Sequence, residues 1–347
     1  MLEYTVAQCS IGPIDQLLAG TANAQPIGEG SADKESVGAI QDLLTGQGAK
    51  GLPNLLSGNY GNFGFLTTAA VVAFRNQHTL PAGQTVDTVT LQAMVRAPAP
   101  APIASRAYLT LVLDKPYSGM AKILSVVAQL EGAGRFAALN LNTDSAGLSF
   151  GLIQWAQRPG RLAEILAAFN GTSRADFVRI FAQGDATLAD RLLAHTRKPN
   201  GGVDPRTGST IDPAFDLVQE PWVGRFRQAA LQIDFQKAQV ETALADFKQS
   251  RDHIRRFAPK LESELGIAFM IDLSNQFGDG GARNIYQCVY KSGISESDLL
   301  SGIAAESVRR IDARFKAGTE ARRQSFLATT FLSDTPFAEP GDADQLA

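Results

Sequence analysis

Histidine and cysteine are scarce in this chain of 347 residues: three histidines, His78, His195 and His253, and two cysteines, Cys9 and Cys288. Two cysteines are too few for a disulfide framework. No HExxH or HxH spacing joins the histidines, which argues against a zinc hydrolase or a zinc amidase. A cysteine–histidine peptidase would need Cys288 beside His195 or His253. Cys288 instead falls in an apolar helical run, Ile285 to Val289, and reads as a buried structural thiol. No stretch of 18 or more apolar residues occurs, so no transmembrane helix and no membrane insertion is expected. Charge of one sign is missing too. The 32 Lys+Arg and 35 Asp+Glu leave a net charge of −3, which speaks against a nucleic-acid partner. The first residues, MLEYTVAQCSIGPIDQLLAG, have neither a basic leader nor a long apolar stretch, so no secretory signal peptide is expected.

What is present is the composition of a packed globular chain, 44% hydrophobic and 19% charged, with a length that suggests about two domains. The alternating Ala/Pro run over 97–102 favours an extended, semi-rigid spacer and marks the boundary, a linker over 98–105. It divides a poorly ordered segment 1–30 and a small module 31–97 from a larger domain 106–335, followed by an acidic tail 336–347. The larger domain carries 28 basic and 25 acidic residues, a mild net of +3.

Helical spacing of Val37, Ile40, Leu43 and Leu44 predicts a helix over 36–46, with further helices at 67–78 and 90–95. In the larger domain Ser118 is placed to cap a helix whose apolar face is Ile123, Leu124, Val127 and Leu130, stopped by Gly132 and Gly134. Residues 140–156 read as a short hairpin. Helices are expected at 160–169, 173–182, 186–195, 214–257, 260–277, 281–290 and 296–330, with a long surface loop at 196–213. The fold class is therefore mainly α, with one short β-hairpin.

The small module carries Val37, Ile40, Gln41 and Leu44, then Gly61-x-Phe63-Gly64-x-x-Thr67-x-x-Ala70-Val71-x-x-Phe74, then Leu80, Gly83, Val86, Asp87, Thr90 and Leu91. Over about 60 residues this resembles the three-helix peptidoglycan-binding module of many cell-wall hydrolases. The resemblance implies peptidoglycan as partner and wall contact through Tyr60, Asn62, Phe63 and Thr67.

In the larger domain a glutamate, Glu131, closes an apolar helix. Asp144 follows 13 residues later in a Gly/Ser-rich segment, and Gly151-Leu152-Ile153-Gln154 comes next. Cleaving a glycosidic bond needs a protonated carboxyl at the leaving oxygen and a group that serves the opposite face. Partial burial and the negative end of the helix dipole both disfavour an anion at Glu131 and suit it to the acid role. Asp144, among Asn142, Thr143 and Ser145, sits with hydrogen-bonding groups that favour its ionised form. Over about 25 residues the pattern is similar to the lysozyme superfamily, nearest to goose-type lysozymes, lytic transglycosylases and chitosanases. The resemblance implies a lysozyme-like fold, Glu131 and Asp144 as catalytic pair, and a cleft lined by the sheet residues. Asn142, Thr143, Ser149, Gln154 and Trp155 are the candidate substrate contacts there. Asn275 and Gln276, in the run Asp272-Leu273-Ser274-Asn275-Gln276-Phe277-Gly278, are further candidates.

Together these features predict a monomeric peptidoglycan hydrolase of muramidase type, inverting, with no metal and no organic cofactor. A lytic transglycosylase using Glu131 alone, a chitosanase, and a wall-binding protein with an inactive hydrolase domain are the alternatives. A chain made in the cytoplasm without a signal would reach the wall through a holin-type opening or a secretion machine.

Overall fold

The computed structural model describes residues 13–20, 22, 24–54, 57–96, 119–132, 134–329 and 332–337. The 98–105 spacer, the expected cap at Ser118 and the tail beyond Phe337 lie outside them. The described chain is mainly helical, with one small antiparallel sheet. Its buried apolar residues form two clusters, one from residues 14–94 and one from residues 120–337.

The first cluster is built by α1 (Pro13–Ala19), α2 (Lys34–Gly46), α3 (Phe65–Gln77) and α4 (Thr88–Arg96). The expected apolar faces are its centre: Val37, Ile40 and Leu44 of α2 pack with Val71, Phe74 and Leu91. Of the segment 1–30, expected to be poorly ordered, residues 13–20, 22 and 24–30 are described, and three of its apolar residues join this cluster. Ile14 and Leu17 of α1 are buried in the cluster, and Ile27 forms an antiparallel bridge with Val86. Small, polar composition hid these three apolar anchors. The turn before α3 needs glycine at position 61, where φ is +80° and an added Cβ would meet the Lys34 carbonyl at 2.6 Å. The Gln41 amide locks this turn. Its Nε2 donates to the Asn62 carbonyl (2.9 Å) and to Thr67 Oγ1 (3.0 Å), and its Oε1 accepts the Gly61 N–H (2.9 Å).

The second cluster surrounds α5 (Met120–Gly132), whose Ile123, Leu124 and Val127 are buried as the spacing required. Strands β1 (Leu139–Leu141), β2 (Leu148–Phe150) and β3 (Trp155–Ala156) follow, pairing in the order β1-β2-β3. The hairpin thus gains a third strand. Helices α6 (Arg161–Thr172), α7 (Arg174–Ala182) and α8 (Ala186–Thr196) lie close to their expected ranges. Their phenylalanines interlock with those of later helices, Phe169 with Phe235 at 4.8 Å and Phe181 with Phe226 at 5.0 Å between ring centroids.

The surface loop expected at 196–213 is partly internal. Gly201, Gly202 and Val203 are buried, and Val203 bridges Thr210. The Gln157 amide holds it: Nε2 donates to the Gly201 carbonyl (2.9 Å) while Oε1 accepts the Leu148 N–H (3.2 Å). The helix expected over 214–257 is divided into a 3-10 turn (Pro213–Phe215), α9 (Trp222–Ala229) and α10 (Ile233–Phe257). The helices expected over 260–277 and 281–290 fill α11 (Glu264–Val289), whose two parts are separated at Gly278, where φ of 68° and ψ of 163° are not helical. The helix expected over 296–330 is α12 (Glu296–Arg310) and α13 (Lys316–Ala328), separated where Asp312 caps a short 3-10 turn. Among the described residues no helix is long and apolar enough to cross a membrane.

Candidate active site

The last turn of α5 carries Glu131, whose side chain keeps 18% of its surface exposed. Its carboxylate accepts a hydrogen bond from Nη2 of Arg322 on α13. Arg322 also donates from Nη1 to the Leu130 carbonyl (3.1 Å) and grips Asp272, with Nε 3.1 and 3.2 Å from the two carboxylate oxygens. Asp272 sits mid-way along α11 with no exposed surface, and its second cation is Arg323. Arg323 is itself buried: it donates to Ser307 Oγ (3.0 Å) and to Gln276, and its guanidinium lies 5.3 Å from the Phe269 ring centre.

Two carboxylates and two guanidiniums therefore form one half-buried network. Burial pushes the Glu131 carboxyl above the usual glutamate range, the negative Asp272 pushes the same way, and Arg322 opposes both. Arg322 is held more firmly as a cation than an isolated arginine, chiefly by Asp272. The two directions are compatible because one guanidinium serves two acids. Asp272 takes the larger share, and the burial of Glu131 is only partly offset.

Glu131 faces a cleft of about 720 Å³. Of the residues singled out in the sequence, Asp144, Ser149, Gln154, Trp155 and Asn275 line it together with Glu131. Asp144 is exposed and doubles as a turn residue, its Oδ1 accepting the Ala146 N–H at 3.2 Å. Gln154 takes a positive φ of 52° and donates to the Gly151 carbonyl (3.0 Å), which fixes its position on the wall. Trp155 packs into the core, and its buried indole N–H has no acceptor among the described residues.

Three expected contacts fall elsewhere. Asn142, at φ 66°, spends its amide on structure: Oδ1 accepts the Gly147 N–H and Nδ2 donates to the Thr207 carbonyl, both at 2.9 Å. Thr143 is bound to Asn140 Oδ1 through its N–H (3.0 Å) and hydroxyl (2.7 Å), and it is Asn140 that lines the cleft. Gln276 is tied to Arg323 outside the cleft lining.

In the small module Phe63 and Thr67 are buried, so neither offers a surface to the wall. Asn62 is exposed and lends its carbonyl to Gln41, and Tyr60 donates its hydroxyl to buried Asp42 (2.7 Å). The apolar side chains that this module does expose include Phe65 (83%), Leu66 and Val89. Cys288 is exposed rather than buried; its Sγ takes an N–H from Arg310 at 3.0 Å, because Ile285 and Tyr286 occupy the inward face of α11.

Sequence reasoning passed over Asp246 and His253 of α10 and Asp279 of α11, all in the cleft wall. Asp246 pairs with Arg161, and His253 Nδ1 lies 3.3 Å from Asp279 Oδ2. It also passed over Asp272, Arg322 and Arg323. Their signal was present: an aspartate inside the apolar run Ile267–Leu273 demands a buried cation, and an Arg-Arg pair follows in α13. Among the described residues no group of three or more His, Cys, Asp or Glu is arranged to hold a metal ion. No protein-family model matches the chain, and no curated protein matches it.

Proposed function

We propose that the chain is a glycoside hydrolase that cleaves the β-1,4 glycan backbone of peptidoglycan, with Glu131 as general acid and Asp144 as the base that activates water. The observation that carries this reading is Glu131 itself: a half-buried carboxyl with a raised pKa, facing a cleft that Asp144 also lines. In that setting Glu131 holds a proton to give to the leaving glycosidic oxygen. Arg322 beside it stabilises the carboxylate left behind. Asp144 takes a proton from water that attacks the oxocarbenium-like centre from the opposite side, with inversion.

Peptidoglycan is favoured as substrate by the pattern of residues 36–95, which resembles a wall-binding module. In this reading the protein works as a monomer on the wall, reached through a holin-type opening or a secretion machine. One observation favours a second substrate. Asp144, Asp246 and Asp279 outnumber the one arginine of the cleft lining, Arg161, which suits a positively charged glucosamine polymer and hence a chitosanase.

Mass spectrometry of the products from purified sacculi and from chitosan tests the proposal. New reducing ends on peptidoglycan strands support it. Cleavage of chitosan alone selects the second substrate. Anhydro sugars select a lytic transglycosylase, and intact glycan in both digests indicates a binding protein.

A further inference from the structure

Beyond the cleft, α10 and α11 frame a second pocket of about 610 Å³, lined by Gln249, Asp252, His253, Arg256, Phe257 and Arg283. It shares Gln249 and His253 with the cleft, so the two are neighbouring parts of one groove. Helical spacing explains the continuity. Asp246, Gln249, His253 and Arg256 follow one another along a single face of α10, and Asp279 and Arg283 stand one turn apart on α11 beyond Gly278.

The charge reverses along this groove. The cleft is rich in carboxylates, whereas the second pocket presents two exposed arginines. Its carboxylate, Asp252, is already engaged by Arg251 at 3.0 Å, and among the described residues neither Arg256 nor Arg283 has a carboxylate partner. The His253–Asp279 pair marks the junction. Two guanidiniums and an aromatic ring lining one pocket are the groups that a carboxylate carried on a small apolar group would need.

We propose that this pocket is a subsite for the carboxylate-bearing peptide stem of peptidoglycan, held by Arg256 and Arg283 while the glycan lies in the cleft. The inference rests on the peptidoglycan reading above. A stem branches from the strand beside the bond to be cut, so a pocket that shares two lining residues with the cleft is placed to receive it. A glycan without acidic branches would leave both arginines unused.

The test compares soluble glycan oligomers bearing their peptide stems with the same oligomers stripped of stems by an amidase. The wild-type protein should show a KM at least about tenfold lower for the stem-bearing oligomers, the equivalent of one charge-assisted hydrogen bond. In the Arg256→Gln/Arg283→Gln double variant, checked for an unchanged melting profile, that ratio should fall close to one. The Arg256→Lys/Arg283→Lys variant, which keeps the charge, should retain part of it. Equal KM values for the two substrates in the wild type overturn the subsite and leave the hydrolase reading standing. So does a preference that survives in the Gln variant. Failure of the wild type to cut either oligomer overturns the reading and the subsite together.

Discussion

Glu131, at the end of α5, and Asp272, in the middle of α11, hold the same guanidinium, that of Arg322. The two acids are 141 positions apart in the chain and differ in burial, Asp272 being enclosed and Glu131 opening on the cleft. The arrangement couples the proton equilibrium of Glu131 to a carboxylate that no solvent reaches.

Removing the cation should move that proton. Arg322→Gln deletes the group that lowers the Glu131 pKa and leaves the burial and Asp272 that raise it. The alkaline limb of the kcat profile should therefore shift to higher pH. An unchanged limb, or one displaced to lower pH, would show that Glu131 is not the titrating acid.

Asp272 should matter chiefly for stability. Asp272→Ala leaves two arginines facing each other in a half-buried site without their shared anion. Breaking a buried pair in this way costs about 3–5 kcal/mol. Urea unfolding followed by Trp155 and Trp222 fluorescence measures it. A loss below about 1 kcal/mol, the scale of exposed pairs, would mean that the network is solvated.

The small module should lose stability as pH rises. Burial lifts the Asp42 carboxyl to about 7, against an opposing bond from Tyr60. The folded form thus binds a proton that the unfolded chain releases near 3.8. Its contribution is complete below pH 3.8 and declines up to about pH 7. At roughly 1.4 kcal/mol per pH unit the full loss is about 4 kcal/mol. Asp42→Asn keeps an acceptor for Tyr60 and should flatten the dependence. Hydrogen-exchange protection of α2 at pH 5 and pH 8 provides the comparison, and equal pH dependence in both proteins would contradict the assignment.

Asp144 decides the mechanism. If it activates water, Asp144→Asn should lower hydrolysis by about 10² or more while the substrate still binds, because a general base contributes at least that much. Near-normal turnover by the variant would leave Glu131 acting alone, as transglycosylation requires. The product of the wild type should carry the α configuration at its new reducing end, which NMR of the first turnover products reads directly.

The helices that bury a continuous apolar stripe were legible from spacing alone. α2, α3, α5 and α6 to α8 each repeat apolar residues every three or four positions, and the structure keeps them. Boundaries set by a single residue were legible only in part. The break at Gly278 was legible from the glycine itself, but Asp312 ends a run whose apolar pattern gives no reason to stop. Within the site, Glu131, Asp144, Ser149, Gln154 and Trp155 were found because they share one local pattern, and Asn275 from a separate run that packing brings to the same cleft. Asp272, Arg322, His253 and Asp279 come from helices that meet only after packing. Asn142 and Thr143 look like ligand contacts in a polar segment, yet their hydrogen bonds are used within the protein. Local sequence cannot show where a short polar side chain finds its partner. Gln157 is a further case: an amide that clamps β2 to a loop 44 residues away.

The most direct measurement is the rate at which Glu131→Gln releases reducing ends from purified peptidoglycan, set beside the wild-type rate. The substitution keeps the shape of the side chain and a hydrogen-bonding partner for Arg322, and it removes the proton. The account predicts a loss of about 10²–10⁴ in turnover with the fold intact. A variant that keeps more than about a tenth of wild-type turnover would contradict the assignment of Glu131 as the acid, since that is a loss below the lower bound for general acid catalysis.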